Sequence, residues 1–116
     1  MKIIIAGSRT ITNIALVNHA MLGKNPSEII SGGARGVDML GEQWAKQHNI
    51  PILRMPALWE KEGKSAGFRR NERMAQYADQ LVAIWDGHSR GTLHMINCMK
   101  QKNKPVFILN LGDYHA

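Results

Sequence analysis

EIISGGARGVDMLGEQW, residues 28–44, changes its hydrophobic rhythm halfway along. The stretch 28–32 carries an Ile-Ile pair that runs into glycine, the mark of a short strand bounded by a turn. From Val37 onward, Val37, Leu40, Gly41 and Trp44 fall at i, i+3, i+4 and i+7, the stripe of an amphipathic helix. Three glycines and an arginine sit between the two patterns. A strand that empties through a glycine loop straight into a helix is half of a β-α-β unit, and this reading organises the rest of the chain.

Four more short apolar runs carry the strand pattern: KIIIAG at 2–7, PILRMPAL at 51–58, QLVAIWD at 80–86 and KPVFILNL at 104–111. The first, fourth and fifth of the five runs are nearly continuous rather than alternating, as expected when both faces of a sheet are covered. Helical stripes lie between them. Thr12 or Asn13 caps a first helix with Ile14, Val17, Ala20 and Met21. A third starts near Ser65 with Asn71, Met74, Ala75 and Ala78, and a fourth follows Gly91-Thr92 with Leu93, Ile96 and Met99. Residues 57–66 read as a polar connection without an element of their own. The expected fold is α/β: one domain over residues 1–116, with an open parallel sheet of about five strands and helices on both faces.

Length and composition exclude several classes. The 116 residues are 44% hydrophobic and 21% charged, an ordinary globular balance with enough chain for a buried core. The one cysteine, Cys98, excludes an internal disulfide framework and fits a reducing compartment. No apolar run approaches the roughly 20 residues of a membrane span. The N-terminal MKIIIAGSR has too short an apolar part for a signal peptide and reads as a buried first strand, so a cytoplasmic location is expected. The net charge of +6 points to an anionic partner. Arg9, Arg35, Arg69, Arg70 and Arg90 fall in or beside glycine-containing connections, whereas the lysines scatter over surfaces and helix ends. Arginine's planar fork suits bidentate contacts to phosphate or carboxylate, so this sorting favours a defined anion site over a diffuse basic face.

In open α/β sheets ligands bind beyond the carboxyl ends of the strands. The connections that empty there hold the candidate residues. Gly7, Ser8 and Arg9 follow the first strand. Ser31, Gly32, Gly33, Arg35, Gly36 and Asp38 form the glycine loop, whose backbone N–H groups over residues 32–36 suit an anion. Its G-G-x-x-G spacing is not the dinucleotide fingerprint, and a tight turn in which Asp38 complements the helix dipole is the bland alternative. Asp86, Gly87, Ser89, Arg90, Gly91 and Thr92 belong to a second glycine loop, WDGHSRGT at 85–92, which reads either as a phosphate cradle or as an ordinary capped connection. Asn71 tops the buried face of the third helix, flanked by Arg69 and Arg70, where cations oppose the helix dipole and a bound anion would offset them.

Other features are weaker. EGKS at 62–65 lacks the earlier glycine and the feeding strand of a P-loop. His19, His48, His88, His94 and His115 show no metal-ligand spacing, so no metal is expected. Trp59 and Trp85 sit at or beyond strand ends, where an indole face either stacks on a base or covers the sheet edge.

GSR at 7–9, SGGARGVD at 31–38, AGFRRNERM at 66–74 and WDGHSRGT at 85–92 together resemble the SLOG superfamily, most closely its small YspA/YpsA-like members from bacteria and their phages. The resemblance spans nearly the whole chain, with its motifs in order. It implies a Rossmann-like sheet and a nucleotide or nucleotide-derived ligand, related to ADP-ribose or NAD or a nucleoside phosphate, with no other cofactor. It also implies a homodimer or higher homo-oligomer and a sensing or sequestering role, in several members within bacterial and phage conflict. Two other functions attach to the same superfamily. LOG phosphoribohydrolases cleave a nucleotide's N-glycosidic bond, and DprA binds single-stranded DNA. Arg70 before Met74 matches the arginine that LOG enzymes carry before a methionine, and Gly91-Thr92 match part of their glycine motif. Their catalytic glutamate falls here at Met95, so cleavage would lack its usual acid/base partner unless Asp86 or Asp38 substituted. If there is catalysis, Arg70 and Asp86 are the candidates. The expected function is therefore binding, with N-glycosidic hydrolysis and single-stranded nucleic-acid binding as alternatives.

Overall fold

The computed structural model describes residues 1–112, so His115 lies outside the described part. Strands β1 (Lys2–Gly7), β2 (Glu28–Ser31), β3 (Ile52–Arg54), β4 (Gln80–Trp85) and β5 (Val106–Asn110) form one sheet. Its order is β3-β2-β1-β4-β5 and all pairs are parallel. The helices are α1 (Ile14–Ala20), α2 (Val37–Gln47), a short α3 (Trp59–Glu62), α4 (Ala66–Tyr77) and α5 (Arg90–Gln101). This is the expected α/β, Rossmann-like arrangement.

The unbroken apolar run of β1 has a simple cause. Ile3 and Ile5 point to one face, where they meet Val17 and Ala20 of α1 and Val37, Trp44 and Ala45 of α2. Ile4 and Ala6 point to the other, against Met74 and Ala75 of α4 and Met95, Ile96 and Met99 of α5. With no polar face to spare, Ile3, Ile4 and Ile5 are each at most 1% exposed. Each contributes roughly 2 kcal/mol through burial.

Two details differ from the sequence reading. The third strand covers only Ile52–Arg54 of the expected 51–58. The Met55 amide still donates to Ser31 O (2.8 Å), but Pro56 has no N–H to continue the ladder. The supposedly featureless 57–66 contains α3 and a 3-10 turn over Gly63–Ser65. Such short elements have no room for a hydrophobic period. What holds them is tertiary: Arg73 of α4 pairs with Glu62 at 3.2 Å. At α5 the helix begins at Arg90, three residues before the Leu93 start expected after Gly91-Thr92, because the Ser89 hydroxyl accepts from the Thr92 amide (3.3 Å) and caps it.

The chain moves outward from β1 to β2 to β3, then returns across the sheet to β4 on the other side of β1. Strand order therefore reverses between β1 and β4, and their following loops diverge to leave a crevice.

Candidate functional site

The loops around this crevice are tied to one another before any ligand is considered. Ser8, 1% exposed, donates its amide to Ile84 O (3.1 Å), and its hydroxyl accepts from the Asp86 amide (3.1 Å). Ser8 O in turn accepts from the Val37 amide (3.3 Å), which fixes the start of α2. Gly36 permits that contact. Its φ is +77°, and a Cβ there would collide with Ser8 O and the Arg9 backbone.

Several amides expected to cradle a phosphate already have partners. Gly33 N–H donates to the Ser31 hydroxyl (3.0 Å), and Ala34 N–H to Asp38 Oδ2 (3.1 Å). Asp86 Oδ1 accepts from the amides of His88 (2.7 Å) and Ser89 (3.0 Å), which holds its carboxyl below the usual carboxylate range. In the second loop the amides of Arg90 and Gly91 stay without a partner among the described residues. They open the first turn of the 12-residue α5, which has no acidic residue in that turn. That end of α5 is a ready anion-binding terminus.

α4 completes the crevice. Arg70 reaches across to donate Nη1 to Gly32 O (2.6 Å) and Met55 O (3.4 Å), and Nε to Asn71 Oδ1 (3.0 Å). Among the described residues it forms no direct ion pair; carbonyl dipoles and the nearby Asp38 carboxylate offset its charge. Glycine at 32 leaves room for this contact: a Cβ would lie 2.7 Å from Arg70 Nη1 and 2.8 Å from Asp38 Oδ2, and both side-chain ends would have to move. Asn71, 7% exposed, donates Nδ2 to Gly91 O (3.2 Å) and to His94 Nδ1 (3.2 Å). Its amide is fully engaged, so it positions Arg70 rather than presenting a free group.

The result is an inner cavity of about 80 Å³ at the strand-order reversal, lined among others by Gly7, Arg9, Asp38, Arg70, Ser89 and Thr92. Gly91 and Met95 also line it, so a thioether forms part of its wall. Asp38 is 6% exposed. Burial pushes its carboxyl up to about 6, against the lowering effects of the Ala34 amide and the Arg70 charge. An outer compartment of about 330 Å³ adjoins it, sharing Arg9, Gly32, Ala34 and Arg70 and adding Gly33, Arg54, Pro56, Ala57 and Trp59. Arg54 is neutralised from behind: Glu42 takes both Nε (2.9 Å) and Nη2 (2.5 Å), and Ser31 Oγ donates to the same carboxylate (2.6 Å).

Of the sequence candidates, Gly7, Arg9, Gly32, Gly33, Asp38, Arg70, Asn71, Ser89, Gly91, Thr92 and Trp59 line one compartment or the other. Ser8, Ser31 and Gly36 brace the loops behind them. Asp86 and Gly87 shape the second loop, while Arg35 and Arg90 are exposed and line neither compartment. Trp85 donates its indole N–H to Ser89 O (3.1 Å) and packs against the core under α4 and α5, so it covers the sheet edge rather than opening a stacking face. The sequence reading missed His94, which orients Asn71. It also missed Met95 as a wall of the cavity and Arg54 as a wall of the outer compartment. Arg54 and His94 carry no local signal, because their partners lie 12 and 23 positions away. Among the described residues no cluster of His, Cys, Asp or Glu is placed to hold a metal ion. No helix there is long and apolar enough to cross a membrane.

The Gene 61 protein of Mycobacterium phage D29 is 33% identical over 124 aligned positions, which span 97% of this chain and 97% of that one. A model of the YspA, cpYpsA-related SLOG family matches residues 1–61, the half that carries β1, the glycine loop and α2. With Arg9, Gly32 and Asp38 inside that match, the chain belongs to the YspA, cpYpsA-related SLOG family.

Proposed function

We propose that this protein binds a nucleotide or a nucleotide-derived metabolite, of the ADP-ribose or NAD type or a nucleoside phosphate, and acts as a sensor or sequestering protein. The observation that carries the reading is Arg70. It is a half-buried guanidinium without a carboxylate partner, facing a cavity whose far wall is the open N-terminus of α5. A phosphate there gains the Gly91 amide, the Ser89 and Thr92 hydroxyls, and the charges of Arg70 and Arg9. The outer compartment suits a base, with Trp59, 56% exposed, as its stacking surface. Membership of a SLOG family supports a nucleotide-related ligand.

Binding without cleavage is favoured by Met95, which puts no acid or base where the hydrolases of the superfamily have one. One observation supports the hydrolase reading instead: Asp38 brings a carboxyl of raised pKa to the cavity wall. Self-association belongs to the same proposal, with exposed Leu58, Trp59 and Phe68 as apolar surface to bury.

The test is a panel of AMP, ADP, ADP-ribose and NAD, read by melting temperature and by chromatography of the recovered ligand. A raised melting temperature with intact ligand is the expected result. Released base would establish the hydrolase. No response to any member, with salt-sensitive retention of single-stranded oligonucleotides, would replace both with nucleic-acid binding.

A further inference from the structure

The inner cavity contains a group that an anion site does not need. Asp38 is 6% exposed, and only Oδ2 has a protein partner, the Ala34 amide. Among the described residues no buried side-chain nitrogen or oxygen is both sealed off and unpartnered. Oδ1, which makes no hydrogen bond, therefore keeps its lone pairs open to the cavity that Asp38 lines. A phosphate against this oxygen would be repelled, and burial alone makes an ionised carboxylate costly. A ligand that brings hydroxyl donors to Oδ1 and a phosphate to the opposite wall satisfies both ends at once.

The cavity is polarised accordingly. Donors line the α5 side: the Gly91 amide and the Ser89 and Thr92 hydroxyls, with the Arg70 guanidinium at Gly32 O between the two walls. The one carboxylate stands on the α2 side. Its volume is about 80 Å³, and it adjoins the outer compartment along Arg9, Gly32, Ala34 and Arg70, so a sugar phosphate is not confined to the inner cavity. The larger outer compartment, with Trp59, is the place for a planar base. Resting on the nucleotide reading above, we propose that Asp38 is a specificity residue that accepts hydrogen bonds from the ribose hydroxyls, so that the site takes ribonucleotides in preference to 2′-deoxyribonucleotides. A carboxylate is the usual protein reader of a ribose diol, because it alone offers several charged acceptor positions and no donor.

Calorimetric titration of the whole protein with AMP, 2′-deoxy-AMP, ribose 5-phosphate and 2-deoxyribose 5-phosphate tests this. The ribo form of each pair is expected to bind about tenfold or more tightly, the loss typical of a charge-assisted hydrogen bond. The base-free pair shows that the sugar is what is read. Asp38→Asn keeps an acceptor for Ala34 and is expected to compress the ribo preference toward unity while still binding 2′-deoxy-AMP. Equal binding of ribo and deoxy forms by the native protein would overturn the inference without needing a variant. An unchanged ribo preference in Asp38→Asn would also overturn it. So would an Asp38-dependent preference for AMP over inosine 5′-monophosphate with no sugar preference, which would make the base amino group the donor. Failure of all four probes to bind, with no response to ADP, ADP-ribose or NAD either, would instead remove the nucleotide reading itself, and this inference with it.

Discussion

Asn71 and His94 share a hydrogen bond of 3.2 Å between Asn71 Nδ2 and His94 Nδ1, and its direction is set from the other end of the amide. Arg70 Nε can only donate, so Asn71 Oδ1 must face it and Nδ2 must face His94. His94 Nδ1 is therefore the acceptor, with the ring proton on Nε2, and Phe68 stacks on the ring at 4.1 Å. Burial draws the His94 pKa down, which keeps it in the neutral form this chain of bonds requires. Asn71→Ala breaks the chain in the middle and leaves Gly91 O and Arg70 Nε short of a partner. The expected cost is about 1–3 kcal/mol of stability together with a smaller ligand-induced melting shift. Urea unfolding with and without AMP reads both; an unaltered shift would separate Asn71 from Arg70.

Arg70→Ala removes the cation that faces the cavity but leaves the core under α4 intact. We expect the AMP-induced melting shift to disappear while the unliganded protein loses about 1 kcal/mol or less, since the carbonyls it served at Gly32 and Met55 gain access to water. Arg70→Lys should restore little, because a point charge cannot span Gly32 O and Asn71 Oδ1 together.

Asp38 gives a pH dependence of known sign. Its carboxyl is raised by burial from 3.8 to about 6, so between those values the folded protein holds a proton that the unfolded chain has lost. Stability from this group therefore falls as pH rises through that window, a cost of about 3 kcal/mol that is complete above the folded pKa. Asp38→Asn carries no such cost. The variant should gain on the native protein between pH 4 and pH 7 in parallel urea titrations; a difference independent of pH would place the carboxyl at its ordinary value.

Gly36→Ala asks whether the loop packing is as tight as it looks. The backbone there has φ +77°, and an added methyl would meet Ser8 O and the Arg9 backbone, neither the end of a flexible side chain. We expect a loss of about 2–4 kcal/mol, above the roughly 1 kcal/mol of left-handed strain alone, measured by thermal or urea unfolding.

Trp59→Ala separates base from sugar phosphate. Its indole lines only the outer compartment, so AMP binding should weaken by about tenfold while ribose 5-phosphate binding stays the same. Equal weakening of both would mean that Trp59 shapes the whole site.

Much of this was legible before any coordinates. The apolar run of β1 announced a strand covered on both faces, and the change of rhythm at residues 28–44 announced a β-α unit. Those signals are local: they depend on side-chain size and period, which the chain carries with it. The three arginine-bearing connections were likewise readable as sharing one sheet edge, because parallel strands leave no other place for them. What each residue does at that edge was not readable. Arg35 and Arg70 look alike in sequence, yet one is exposed and the other spans the crevice to Gly32 O, 38 positions away. The amides of Gly33 and Ala34 looked open to a phosphate and are taken by Ser31 and Asp38.

The sequence by itself determined the fold class and the sheet edge onto which the arginine-bearing connections empty, because these follow from period and turn chemistry. Only the tertiary structure decided which donors stay open at α5, which arginine reaches across the crevice to Gly32 O, and that Asp38 lines the cavity with one oxygen unpartnered. Each of those depends on which distant partner satisfies a polar group first, and hydrogen bonds between residues far apart in the chain leave no periodic trace in it.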